Sequence, residues 1–300
     1  MNFITNSIPS PSVNDLTLGV VTVRYYALFI IIGIVIAISV SALRLKNRGG
    51  TAGVAVDIAI WTVPFGIVGA RLFHVATHLN DYFGPGIDPL TVFYIWNGGL
   101  AIFGGLIFGA LGAWLGARQA GVKFLAYADA VVPGLLIAQA IGRLGNYFNN
   151  ELFGIPTTLP WGLEIDPGNP AYPAGLPQGV LFHPTFLYEM LWSLIGLAVI
   201  LLVEKKFNLQ WGKVFASYLI FYSFGRIFIE SIRIDPAYVL LGLRTNVWSA
   251  IVGVLAGLAL YYWQSRKHTG LEETVYLPNR EPLAAAEVVE ADEAEYVEAK

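Results

Sequence analysis

The chain has 300 residues, 56% of them hydrophobic and 13% charged, with a mean hydropathy of +0.61 and a formal net charge of -3. A soluble domain carries about 25% charged residues, so composition argues against an ordinary soluble fold and places most of the chain in lipid. There is no cysteine, which excludes disulfides, thiolate nucleophiles and Cys-ligated metals within the chain. The histidines His74, His78, His183 and His268 show no zinc-site spacing.

The first residues, MNFITNSIPSPSVNDLTLG, read as a short exposed lead-in. The first basic residue is Arg24, so no positive segment precedes the first apolar run and no cleaved signal peptide is expected. A spanning helix needs about 20 mostly apolar residues, and about seven runs meet that length. They lie at 20–43, 54–75, 92–115, 125–147, 186–203, 214–233 and 246–263.

The loops alternate in charge. Arg44, Lys46 and Arg48 follow the first span, Arg118 and Lys123 the third, Lys205, Lys206 and Lys213 the fifth, and Arg266 and Lys267 the last. The second and fourth loops carry neither Lys nor Arg. The positive-inside rule therefore expects an all-α, polytopic membrane protein of about seven transmembrane helices, N-terminus outside and C-terminus cytoplasmic. Arg233 and Arg244 fall in an outer loop against that rule, which marks them for a local task.

Residues 1–268 are expected to form one membrane-embedded domain. The Pro- and Gly-rich stretch 152–184 reads as an external loop or cap between spans four and five, without a core of its own. Residues 269–300 read as an acidic, disordered cytoplasmic tail; within it, 271–300 holds nine acidic residues against Arg280 and Lys300. No inverted repeat of the transporter kind is visible.

Ionisable groups inside a span are costly and need a partner or a ligand. Arg143 lies twenty residues above Lys123 in the fourth span, about 30 Å at the helical rise, which puts it at the outer interface. Arg226 and Glu230 sit one turn apart in the outer half of the sixth span. Arg24, Tyr25, Tyr26, Arg71, His74 and Glu189 fall at the same depth. A lone Arg near a helix end commonly snorkels to headgroups, but polar groups from several spans at one depth suggest a shared cavity open to the outer leaflet.

The densest string is Gly142-Arg143-Leu144-Gly145-Asn146-Tyr147-Phe148-Asn149-Asn150-Glu151-Leu152-Phe153-Gly154. Asn146 and Asn150 share a face with Arg143 if the helix continues. An arginine fork suits phosphate oxygens, and asparagine amides add donors. A helix-packing seam with interfacial capping is the plainer reading.

This string resembles the signature of the prolipoprotein diacylglyceryl transferase family. The resemblance covers about residues 8–265 and extends to Arg24-Tyr25-Tyr26-Ala27-Leu28, Gly69-Ala70-Arg71-Leu72, Trp96-Asn97-Gly98-Gly99-Leu100, His183-Pro184-Thr185-Phe186-Leu187-Tyr188-Glu189, and Gly225-Arg226-Ile227-Phe228-Ile229-Glu230 with Arg233. It implies an enzyme of the cell membrane, facing the outer leaflet. Such an enzyme moves the diacylglyceryl group of phosphatidylglycerol to the lipobox cysteine of a prolipoprotein signal peptide and releases glycerol phosphate. No cofactor, metal or nucleic acid is implied.

By the same resemblance Arg143, Arg226 and Glu230 are catalytic. Arg143, Asn146, Glu151, Tyr26, Gly154 and Arg226 hold phosphatidylglycerol. The sequence departs from the family where many members carry His-Gly-Gly and this chain has Phe103-Gly104-Gly105. The thiol proton must then go to another group, such as His74 or His183, or the thiol must ionise in the field of the arginines. An anion or phosphate-ester transporter with an Arg-lined outward site is the alternative from another class, and a lipid-binding scaffold without activity is a third.

Overall fold

The computed structural model describes residues 7–19 and 21–281. Its architecture is mostly helical, with α1 (Tyr25–Lys46), α2 (Gly53–Thr77), the single turn α3 (Asn80–Phe83), α4 (Ile102–Gln119), α5 (Phe124–Phe148), α6 (Thr185–Phe207), α7 (Lys213–Ser231) and α8 (Thr245–Lys267). Among the described residues, α1, α2, α5, α6 and α8 are long and apolar enough to cross a membrane. The protein is thus a polytopic, all-α membrane protein. The remaining two long helices are less apolar on average: α7 carries Lys213, Arg226 and Glu230, and α4 is 18 residues long and ends on Arg118 and Gln119.

The expected third span, 92–115, begins too early. Residues Pro89–Phe93 and Ile95–Asn97 form 3-10 turns, and α4 starts only at Ile102. Gly98 and Gly99 cause the break, with φ of 89° and 74°, a left-handed backbone that a helix cannot continue through.

The chain divides into two compact units, Met1–Ser41 with Val131–Leu271, and Ala42–Ala130 with Glu272–Lys300. In the first, α1 and α5 meet almost backbone to backbone, since a Cβ on Gly134 would stand 2.8 Å from Ala37 Cα. Helices α6, α7 and α8 pack in sequence. Trp192 lies against Gly225 and donates from Nε1 to Phe221 O at 3.1 Å. A Cβ on Gly257 of α8 would stand 2.9 Å from Ala216 O of α7. Without a hydrophobic drive between helices in lipid, such small-residue seams let van der Waals packing hold a bundle. Val132, Leu136, Ile200, Val214 and Tyr218 form its core.

The segment 152–184 holds more than a loop. It contains a three-stranded antiparallel sheet ordered β3 (Pro156–Thr157), β5 (Leu181–Phe182) and β4 (Leu163–Glu164), where strands are numbered along the chain after the hairpin β1 (Asp15–Leu18) and β2 (Val21–Arg24). Phe153, Leu163, Ile165, Phe182 and Phe186 make a small buried core there. Its turn-rich composition hid these alternating apolar positions. Of the lead-in, Ile8 and Pro9 are held: Ile8 N donates to Gly162 O at 2.9 Å, and Tyr147 Oη donates to Pro9 O at 2.8 Å.

In the second unit α2 and α4 run antiparallel, with Gly69 against Gly104 and Gly112 against Trp61 O. Arg71 is buried and donates to the carbonyls of Thr91 (2.6 Å), Val92 (2.7 Å) and Gly98 (2.7 Å). It clasps the turns ahead of α4, so it is not the headgroup-seeking arginine that a helix end allows. The chain beyond α8 also belongs to this unit. Val275 and Tyr276 are buried, Lys123 N donates to Val275 O at 2.9 Å, and Leu277 N donates to Gly121 O at 2.7 Å. The disordered tail expected from residue 269 therefore does not include 272–280, whose apolar side chains anchor it; residues 282–300 lie outside the described residues.

Candidate active site

Within the first unit, helices α5 and α6 each contribute one member of an ion-pair chain and α7 contributes two. Arg143 is five residues from the end of α5, Glu189 four residues past the start of α6, and Arg226 with Glu230 in the last turns of α7. Glu189 is buried, and its Oε2 lies 2.6 Å from Arg143 Nη2 and 2.9 Å from Arg226 Nη1. Arg226 reaches forward one turn with Nη2 to Glu230 Oε2 at 2.8 Å. The i,i+4 spacing seen in the sequence thus closes as expected.

Glu230 is completely buried. Its second oxygen accepts from Arg244 Nε at 2.8 Å and from Asn246 Nδ2 at 2.9 Å. Arg233 Nε and Arg244 Nη2 hold the two oxygens of Asp235, at 2.7 and 3.0 Å. Four arginines therefore share three carboxylates. A buried carboxylate is tolerated only when cations pair with it in this way.

The arginines differ in access. The side chains of Arg143 and Arg226 retain 19% and 18% exposure, whereas Arg233 retains 4%. Arg143 and Arg226 can meet a ligand; Arg233 is sealed and serves the frame.

Arg143 Nη1 also donates to Asn146 Oδ1 at 3.0 Å. Asn146 Nδ2 and Asn149 Nδ2 donate to Glu151 Oε1 at 3.0 and 3.2 Å. The string read from sequence is therefore joined at Arg143, Asn146 and Glu151. Asn150 leaves it: α5 stops at Phe148, Asn150 has φ 52°, and its side chain bonds Ser10 and the carbonyl of Pro11. Tyr26 packs on Gly145, where a Cβ would stand 2.7 Å from its ring, and lies within electrostatic reach of Glu151 and Arg143.

Gly154 makes backbone contacts only. It bridges to Arg233, donates from N to His183 O at 2.9 Å, and leaves 2.8 Å between a built Cβ and His183 Cβ. His183 Nδ1 stands 3.0 Å from the Tyr188 hydroxyl, which accepts from Trp161 Nε1 at 3.3 Å. In the second unit His74 stacks on His78 and Phe103 packs against Phe73.

The family profile of prolipoprotein diacylglyceryl transferase matches residues 15–263. The chain belongs to this family. It is 52% identical over 287 residues to a protein of Leifsonia xyli named phosphatidylglycerol–prolipoprotein diacylglyceryl transferase, covering 92% of this chain and 86% of that one. It is 49% identical to the protein of that name from Paenarthrobacter aurescens, over 85% of this chain and 82% of the relative. A third, from Streptomyces coelicolor and numbered 2 under that name, is 46% identical over 90% and 84%. The protein is accordingly a membrane-embedded transferase.

Sequence reasoning left Asp235 and Asn246 out of the site, placed Glu189 among the outward polar groups without giving it a role, and marked Arg233 and Arg244 for a local task without naming it. The signal for the two arginines was their breach of the charge rule. The signal for Glu189 was a carboxylate inside an apolar run, which needs a cation somewhere.

Proposed function

We propose that the protein transfers the diacylglyceryl group of phosphatidylglycerol to the cysteine thiol of a prolipoprotein. The thiol sulfur attacks the glyceryl carbon bearing the phosphate. A carbon–sulfur bond forms, the carbon–oxygen bond to phosphate breaks, and glycerol phosphate leaves. The phosphodiester becomes a phosphomonoester and gains negative charge, so preorganised cations at that phosphate lower the barrier most.

The observation that carries this reading is the sharing of Glu189 Oε2 by Arg143 and Arg226. Two partly open guanidinium groups already converge on one anionic oxygen. A phosphate with its own two or three oxygens replaces that carboxylate more completely, since the arginine fork matches it. In this reading Arg143 holds the headgroup phosphate, Arg226 stabilises the leaving group, and Glu230 fixes Arg226. Asn146 and Glu151 take glycerol hydroxyls, Tyr26 seats the lipid, and Gly154 keeps the cap strand close to Arg233.

The proton balance closes without an imidazole at position 103. The cationic field favours the thiolate, and the leaving phosphomonoester, with a second pKa of about 6, carries the proton away.

All seven long helices cross the membrane in this reading, with residues 1–268 as the catalytic domain in the cell membrane and its site toward the outer leaflet. The supporting pattern is that basic residues close the last turns of α1, α4, α6 and α8 but of neither α5 nor α7. That fits both the helix dipole and the positive-inside rule.

The test is incubation with phosphatidylglycerol vesicles and a lipobox peptide. A diacylglyceryl mass increment on the cysteine is expected. No increment, together with passage of a phosphate ester across the vesicles, overturns the proposal in favour of transport.

A further inference from the structure

The second unit has a carboxylate that the site above does not use. Asp57 lies four residues into α2 and forms no hydrogen bond or ion pair among the described residues. It is exposed, and so are its apolar neighbours Val56 and Ile60. Among the described residues Asp57 thus has no cation of its own and stays open to one from outside the chain.

Asp57 lines a cleft of about 370 Å³ with Ile60, Trp61, Gly116, Gln119 and Ala120. Gly116 forms its floor, for a Cβ there would stand 2.9 Å from Ile58 Cα and push the two helices apart. The nearby cation of α4 does not fill the cleft's need: Arg118 lies over the Trp114 ring, 5.6 Å from its centroid.

A carboxylate, an amide oxygen and an indole around one opening are the chemistry of an alkyl ammonium or guanidinium site. On the topology proposed above, this end of α2 faces the cytoplasm. A signal peptide opens with a basic segment followed by an apolar one. A prolipoprotein lying across the bilayer therefore presents Lys or Arg at that face while its cysteine is at the other. We propose that the Asp57 cleft receives a basic side chain from the amino-terminal segment of the prolipoprotein, and so sets a preference among substrates. This rests on the transferase reading and its orientation.

The experiment uses the whole protein in phosphatidylglycerol vesicles. Two lipobox peptides are compared, one with lysines ahead of the apolar stretch and one with glutamines there. Wild type is expected to show a KM about three- to tenfold lower for the lysine peptide, equivalent to a modest ion pair. Asp57→Asn raises that KM to the glutamine-peptide value and leaves kcat for both peptides, and KM for the glutamine peptide, unchanged. An undiminished preference in Asp57→Asn, or an equal loss on both peptides, overturns the proposal. So does an Asp57 effect that appears only on adding phosphatidylethanolamine and ignores peptide charge, for the ammonium then belongs to a lipid. Failure of wild type to modify either peptide counts against the transferase reading itself and is read separately.

Discussion

Arg143 Nη2 and Glu189 Oε2 approach to 2.6 Å across α5 and α6, and the same oxygen carries Arg226. One buried carboxylate therefore sets the separation of the two arginines assigned to phosphate. Arg143→Ala should abolish measurable diacylglyceryl transfer, a fall of at least about 100-fold for one lost charge-stabilising donor, with membrane insertion intact. Arg143→Lys should recover little, because a point charge cannot bridge Glu189 and Asn146 as the fork does. Transfer is read from the peptide mass increment, and near-normal transfer by Arg143→Ala would remove this arginine from the mechanism.

Glu189→Gln leaves Arg143 and Arg226 without their shared counter-charge. Breaking a buried pair costs about 3 kcal/mol or more, so the melting temperature in detergent should fall. Glu151→Gln should fall less, since Glu151 is only half-buried and accepts from amides. Equal melting temperatures would contradict the central position given to Glu189.

Phe103→Leu should retain substantial transfer. The Phe103 ring sits 6.3 Å from that of Phe73, and losing such a pair costs about 0.5–1.5 kcal/mol of stability with no proton acceptor removed. Complete loss of transfer with a normal melting curve would give position 103 a chemical role.

Gly154→Ala should destabilise by about 1–3 kcal/mol through overpacking. The new methyl would meet His183 Cβ at 2.8 Å and Ile232 O at 3.0 Å, the second of them next to Arg233 in sequence. Unchanged thermal denaturation would refute the contact.

The segment after α8 should hold more firmly in mild acid. Burial pushes the Glu272 carboxyl above its usual range, opposed in part by Lys123. A raised folded pKa favours the protonated form, so its stabilising contribution is complete below the usual carboxylate pKa and is lost as pH rises through the raised value. Hydrogen-exchange protection of the Leu277 amide, corrected for intrinsic rates, should fall with rising pH. Glu272→Gln should flatten that dependence; a parallel pH profile in the variant would assign it to another group.

The helices and the polar string were legible because hydropathy and spacing are local properties. The start of α4 was not. Residues 92–101 are as apolar as a span, and only the glycine backbone at Gly98 and Gly99 stops the helix. The acidic average of the tail masked Val275 and Tyr276, two side chains that hold a segment otherwise suited to water. Within the site, Arg226 and Glu230 pair along one helix and could be read from their spacing. Glu189 joins helices from distant parts of the chain, and no periodicity reports that. Asn150 shows the converse: its helical spacing from Arg143 meant nothing once α5 ended at Phe148.

The order of these charges along the chain has a consequence for biogenesis. Arg143 leaves the ribosome 46 residues ahead of Glu189, and Arg226 comes later still. A nascent chain that has delivered α5 but not α6 carries Arg143 without the Glu189 carboxylate that it pairs with in the folded protein. That helix becomes a comfortable resident of the bilayer only after α6 arrives beside it. The pairing therefore favours α5 and α6 settling together rather than one at a time.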